Sequence, residues 1–252
     1  LKKANKGIHH LNEEEKKLYD AISVRVDEIC AEAYSLNVPV FIDAEDSWFQ
    51  DVIDFLAEKM IEKYNKKTII VYNTIQLYRH DRLDYLKKLH AKCQSLDCLL
   101  GVKLVRGAYM EKEREEAVRL EYVDPIHSTK EATDKDYDLA LQYCIENIKT
   151  ISICAGTHNE QSSLYLTTLM NKASLPNDDS RIYFAQLLGM SDHISFNLSK
   201  NGYNVAKYVP YGPIKEVLPY LIRRAEENTS VSGQTGRELS LIQKEIKRRK
   251  SV

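Results

Sequence analysis

From Asn12 onward the chain switches repeatedly between two hydrophobic periods. Asn12 followed three residues later by Glu15 is a capping-box signature. After it, Leu18, Ile22, Val26, Ile29 and Ala33 recur at steps of three and four, the stripe of an amphipathic helix. Val38–Ile42 is a short apolar run closed by Asp43, Ala44 and Glu45. Ser47 stands where an N-cap is expected, ahead of a helix with Val52, Leu56 and Met60 on one face. Thr68–Tyr72 is β-branched and apolar and ends at Asn73; a helix through Leu77, Leu86 and Leu89 follows, then Leu99–Val105 with Lys103 and Arg106 at its end. The second half repeats the rhythm. Helical patterns at 109–119 and 130–149 lead into Ile151–Ala155, closed by Gly156, Thr157, His158 and Asn159. A helix over 160–171, a polar loop at 174–180, Ile182–Ala185, a weaker run His193–Leu198, and Val205–Val209 come next, and helices over 213–227 and 235–249 end the chain.

Strands that are short unbroken apolar runs, alternating with helices, predict βαβ units around a buried parallel sheet. Seven candidate strands are counted, one of them the weak His193–Leu198. Eight at this spacing would make a TIM barrel, so the expectation is a single barrel-like α/β domain over residues 1–252, one strand short.

Composition narrows the function classes. Over 252 residues, 36 Lys+Arg against 37 Asp+Glu leave a net charge of −1, which argues against a nucleic-acid partner. No apolar run approaches the ~20 residues of a membrane-spanning helix. Five cysteines without a C-x-x-C pair fit a reducing compartment and neither a disulfide framework nor a zinc ribbon. With no metal site indicated, and no G-x-G-x-x-G or P-loop motif in the chain, a Rossmann dinucleotide or nucleotide site is not expected. The basic run Lys244–Lys250 reads as a solvated helix end.

In a barrel the working face is the C-terminal end of the strands. There the runs close with Asp43 and Glu45, Asn73 and Gln76, Lys103 and Arg106, Thr157 and His158, Gln186, and Tyr208. Lys103 interrupts an apolar strand, and alternation puts it opposite Leu104. A lysine pointing into a barrel is costly unless paired or used. Asp43 is the obvious partner, and Schiff-base chemistry or contact with a cofactor are both open to it. Near the C-terminus, Tyr220 and Arg224, and Arg223 and Glu227, are four apart and adjacent on a helix. Two neighbouring guanidiniums can grip a carboxylate, and with Tyr208 and Tyr211 nearby they suit a small apolar acid.

Several ordered segments carry a family resemblance: Phe41-Ile42-Asp43-Ala44-Glu45, Leu104-Val105-Arg106-Gly107-Ala108-Tyr109, Gln186-Leu187-Leu188-Gly189-Met190, Tyr208-Val209-Pro210-Tyr211-Gly212-Pro213 and Leu218-Pro219-Tyr220-Leu221-Ile222-Arg223-Arg224. Together they resemble proline dehydrogenase, in its monofunctional, eukaryotic-type branch. The resemblance implies a distorted (βα)8 barrel holding FAD, with a first strand that would precede residue 1. It implies L-proline as substrate, pyrroline-5-carboxylate as product and a quinone as electron acceptor. It also implies a protein that is cytoplasmic or peripheral on the inner membrane in a bacterium and mitochondrial in a eukaryote. By matching position, Arg223 and Arg224 hold the substrate carboxylate, Tyr208, Tyr220 and Leu187 wall its ring, and Tyr109 stands beside the flavin. Asp43 is the catalytic aspartate, and Lys103 approaches the flavin nitrogen that accepts hydride. Ala44, Asn73, Lys103, Arg106, Gly107, Ala108, Thr157 and His158 sit at flavin-contacting positions. Where the bifunctional bacterial branch has Arg-Leu-Val-Lys, this chain has Lys103-Leu104-Val105-Arg106, so two charge types are exchanged.

Overall fold

A computed structural model describes the backbone of residues 1–230 and 234–250, with side chains described for 1–222 and 239–250. Two short 3-10 turns, Ala4–Lys6 and Ile8–His10, precede α1 (Glu13–Leu36). The Asn12 side chain accepts from the Glu15 N–H while the Glu15 carboxylate accepts from the Asn12 N–H, so the capping box read from sequence is closed in both directions. At the other end Asn37 turns left-handed (φ 52°) and frees the chain to enter β1 (Val40–Ile42). Then follow α2 (Ser47–Tyr64), β2 (Val71–Gln76), α3 (Arg82–Ser95), β3 (Leu100–Val105), α4 (Met110–Arg119), α5 (Lys130–Glu146), β4 (Ile151–Gly156), α6 (Glu160–Lys172), β5 (Ile182–Leu187), α7 (Asp192–Lys200), β6 (Val205–Tyr208), α8 (Ile214–Ser230) and α9 (Gln234–Lys250).

All six strands are parallel and lie in chain order, β1 to β6. Each strand returns to the sheet beside its predecessor, the sequential winding that curls a sheet towards a barrel. The described residues thus form a six-stranded half-barrel with β1 and β6 as edges, and among them the eight-stranded ring is not complete. Two strand expectations need correction. His193–Leu198 lies inside α7, with Ile194, Ser195 and Leu198 buried at helical spacing, because its apolar residues keep a helical period that a six-residue window cannot separate from alternation. The second strand runs over Val71–Gln76, three residues later than the apolar run suggests, so Asn73 is inside it.

The faces of the sheet differ sharply. Ile75, Leu100, Val102, Leu104, Ile151, Ile153, Ile182 and Phe184 form the outer face and are at most 1% exposed. They pack beneath the helices with Met60, Ile61, Leu86, Leu141 and Leu166. Burial of each such side chain is worth roughly 1.5–3 kcal/mol, which fixes the register and presents the alternate residues to the inner face. Ser47 opens α2 without capping it. Its N–H and hydroxyl both donate to the fully buried Glu113 carboxylate of α4, at 2.6 Å each, and a negative charge at a helix N-terminus is favoured there. That contact docks α4, and the loop before it, over the sheet end.

Candidate functional site

Cross-strand register assembles the inner face. Phe41 pairs with Tyr72, Tyr72 with Gly101, and Gly101 with Ser152. One step further along, Thr74 pairs with Lys103, Lys103 with Cys154, and Cys154 with Tyr183. At the C-terminal rim lie Gly156, Ala185 and Ala206 in one row and Leu187 beside Tyr208. Along that rim row the inward side chains are therefore small, and they leave a floor on which a flat ring can lie. Gly156 contributes to this: a Cβ there would come within 3.1 Å of Val105 Cγ1 and 3.2 Å of the Leu104 carbonyl oxygen.

On that floor Lys103 Nζ lies 2.5 Å from Asp43 Oδ1. Thr74 Oγ1 donates to the same carboxylate oxygen at 3.3 Å, and Lys103 also stands 5.7 Å over the Phe41 ring. The Lys103 side chain is 21% exposed and that of Asp43 58%. An ion pair this open adds little to stability, so its place at the mouth reflects what can reach it. Thr74 is a residue the sequence reading missed. The signal lay in alternation from Tyr72, hidden by ending the strand too early.

At the far side of the mouth the Tyr208 and Tyr220 rings meet edge-on, with centroids 5.5 Å apart and planes inclined by 61°. Tyr208 closes β6 next to Leu187 of β5, and Tyr220 comes from α8, so three of the expected ring-contacting residues converge. Arg223 and Arg224 continue α8 beyond Tyr220; their side chains lie outside the described residues.

The loop after β3 is shaped by one glycine. Gly107 has φ +136°, and a Cβ on it would meet the Tyr78 ring at 2.4 Å, so no other residue fits the turn without strain. Gly107 and Ala108 are exposed and Tyr109 is half-buried at the start of α4, with Lys112 Nζ 5.6 Å over its ring. Arg106 is clamped: its guanidinium donates to Asp134 (2.7 Å), Thr157 Oγ1 (2.8 Å) and Ser162 Oγ (2.9 Å), and it stacks 4.3 Å over Tyr137. The two cations beside it, Arg106 and Lys130, hold the Asp134 carboxyl below its ordinary range against the opposing effect of burial. Thr157 is buried as the partner of Arg106, and His158 Nδ1 lies 3.0 Å from Ser191 Oγ. Ala44 follows Asp43 in the loop after β1.

Asn73, expected against a flavin, has its side chain on the opposite face. Its Nδ2 donates to Asp54 Oδ1 of α2 at 2.8 Å and to the Tyr85 hydroxyl of α3 at 3.2 Å. The reason is the strand's true span, which puts residue 73 out of phase with Thr74 and Gln76. Gln76 holds the inner position instead, and its Oε1 is buried with no hydrogen-bond partner among the described residues.

The model of the proline dehydrogenase family matches residues 1–237. The chain belongs to the proline dehydrogenase family. It is 39% identical over 245 residues to human "Proline dehydrogenase 1, mitochondrial", covering 96% of this chain and 41% of that protein. It is 37% identical over 229 residues to a Xenopus laevis "Hydroxyproline dehydrogenase", covering 89% and 49%. Among solved structures it is similar to proline utilization A from Bdellovibrio bacteriovorus inactivated by N-propargylglycine, with a TM-score of 0.79, 25% identity, and coverage of 87% of this chain and 22% of that one. The chain therefore spans less than half the length of these curated relatives. Higher identity to the eukaryotic enzymes than to the bacterial bifunctional protein agrees with the eukaryotic-type branch read from the motifs. No helix among the described residues is long and apolar enough to cross a membrane.

Proposed function

We propose that this chain carries the catalytic core of an FAD-dependent proline dehydrogenase, which oxidises L-proline to pyrroline-5-carboxylate and passes the electrons to a quinone. The observation that carries the reading is the Lys103–Asp43 pair, beside the small Gly156, Ala185 and Ala206 row and across the mouth from Leu187, Tyr208 and Tyr220.

The residues present fit a flavin. A flat ring needs a broad floor, a cation where reduction adds negative charge, and polar groups for its ring edge; the Gly156, Ala185 and Ala206 row, Lys103 and the unpartnered Gln76 Oε1 match those needs. Ala44, Gln76, Lys103, Gly107, Ala108 and His158 would hold it, with Arg106 and Thr157 bracing the loop from behind. When bound, FAD supplies the hydride acceptor.

The chain's own residues do the rest. Arg223 and Arg224 grip the proline carboxylate, and Tyr208, Tyr220 and Leu187 enclose the pyrrolidine ring, which excludes water from one side. Tyr109 stands at the flavin's side of the pocket. The amine must be neutral before hydride can leave the adjacent carbon, and Asp43 orients that nitrogen while water takes the proton. Lys103, held in place by Asp43, whose carboxylate Thr74 also contacts, stabilises the negative charge that develops beside it, an effect that often dominates catalysis. In all, proline loses two electrons and two protons, and the quinone takes them up. Closure of the six strands into a full (βα)8 barrel and a mitochondrial location, with peripheral membrane association, complete the proposal; the relatives' names support the location.

The test is an absorbance spectrum of the purified chain before and after anaerobic proline. Flavin bands that bleach support cofactor, substrate and direction of electron flow together; bands that persist overturn the activity. Arg224→Met should raise KM for proline, and an unchanged KM would remove the carboxylate clamp. Hydroxyproline belongs in the same assay, given the name of the Xenopus relative.

A further inference from the structure

Away from the mouth, at the opposite end of the strands, two cysteines face each other. Helix α3 ends at Ser95, Leu96 is its C-cap, and Asp97 takes the left-handed conformation with φ 50°. The Cys98 N–H then donates back to the Cys93 carbonyl at 2.9 Å. This is the six-to-one bond of a Schellman turn, which brings the side chains at its two ends together. Standard bond lengths on either side of that hydrogen bond hold the two Cα atoms within about 6.8 Å, and a disulfide spans roughly 4.4–6.8 Å.

Both cysteines are buried in the main core, Cys93 at 3% and Cys98 at 6% exposure, and they differ in what lies on their outer side. Cys98 lines a surface cleft of about 180 Å³ with Lys66, Gln94, Asp97, Leu99 and Thr150. Burial, with the neighbouring Cys98, pushes the Cys93 thiol up to about 12. Cys98 lines that cleft and Cys93 does not, which leaves Cys98 to meet whatever enters it.

We infer that Cys93 and Cys98 form a reversible oxidation site, closing an intrachain disulfide at the α3–β3 corner when a small peroxide enters the cleft beside Cys98. The Cys98 sulfur attacks the O–O bond, giving a sulfenic acid and one water. The Cys93 sulfur then displaces the hydroxyl, forming the S–S bond and a second water. The two thiols lose two electrons between them, and the peroxide gains them. The sequence alone offered no such pair, since the five-residue spacing matches neither a redox motif nor a metal motif.

Trypsin tests this directly, because Cys93 follows Lys92 and the next basic residue is Lys103, so both cysteines lie in one peptide. The full chain is treated with hydrogen peroxide, denatured, alkylated and digested. We expect two of the five free thiols to be lost, the Cys93–Lys103 peptide to be lighter by two hydrogens and unalkylated, and a reducing agent to restore both. In Cys93→Ser, Cys98 should instead accumulate as a sulfenic acid that dimedone traps. Peptide alkylated at both positions after oxidation, or a disulfide mapped to Cys30, Cys144 or Cys154, overturns the proposal. So does Cys98 running on to sulfinic acid in the unmodified chain without linking to Cys93.

Discussion

Lys103 Nζ and Asp43 Oδ1 lie 2.5 Å apart although 60 residues separate them in sequence and the whole of β2 stands between their strands. Thr74 fills that gap, touching the same carboxylate oxygen from the intervening strand. Three successive parallel strands therefore each contribute one polar group to a single point at the mouth. Parallel register places them there, because residues on one face of neighbouring strands advance together.

If Lys103 supplies the developing charge with its counter-ion, Lys103→Met should slow anaerobic flavin reduction by proline by about 10²–10³-fold. Lys103→Arg should recover much of that loss. Stopped-flow absorbance at saturating proline measures it; reduction of the Met variant at the parent rate would remove Lys103 from the chemistry.

The Tyr208–Tyr220 contact should act on binding. Tyr220→Ala removes one aromatic wall and the edge-on partner of Tyr208, a pair worth about 0.5–1.5 kcal/mol beyond its buried area. We expect KM for proline to rise by roughly tenfold with a smaller change in kcat. Steady-state kinetics on matched flavin content decide, and a loss confined to kcat would contradict this role.

Beneath the sheet, the Arg82–Asp54 ion pair is buried on both sides, at 3% and 5% exposure and 2.6 Å. The same carboxylate accepts from Gln50 and Asn73, and Arg82 stacks 3.9 Å over Tyr85. Arg82→Leu leaves a buried carboxylate without its cation and should cost about 3–5 kcal/mol, read from urea denaturation. A change under 1 kcal/mol would show that water or a neighbour replaces the guanidinium.

His90 makes a pH-dependent contribution. It is 2% exposed between Tyr143 and Thr150, each 2.8 Å from a ring nitrogen, and burial lowers its pKa from the ordinary 6.5. The unfolded chain thus binds the proton first as pH falls, so stability declines on acidification from about pH 6.5 and levels off below the folded-state value. His90→Gln should flatten that limb of a stability–pH profile. A profile still falling between pH 7 and 5 with unchanged slope would assign the effect to other groups.

Much of the architecture was legible in the residues themselves. Capping at Asn12, the outward-facing apolar positions of β3, β4 and β5, and the inward turn of Lys103 all follow from local period and polarity, which short-range sterics and hydrophobic burial dictate. The differences are also local. At Asn73 the apolar run stops, which marks a strand end in sequence, yet hydrogen bonds to Asp54 and Tyr85 allow a polar residue inside a buried strand. In His193–Leu198 the apolar residues fit either period over so short a stretch, and helix α7 takes them.

Residue chemistry and order were set by the sequence alone: parallel βα units, a lysine inside a strand, tyrosines and paired arginines near the C-terminus, and motifs that place the chain in its family. Which of these groups meet was decided only by tertiary structure. Cross-strand register set Thr74 beside Asp43, α8 packed Tyr220 against Tyr208, and a single helix-ending turn joined Cys93 to Cys98. Each of these contacts depends on a long-range pairing or a left-handed backbone that no local propensity specifies, and so each becomes fixed only when the outer face of the sheet is buried.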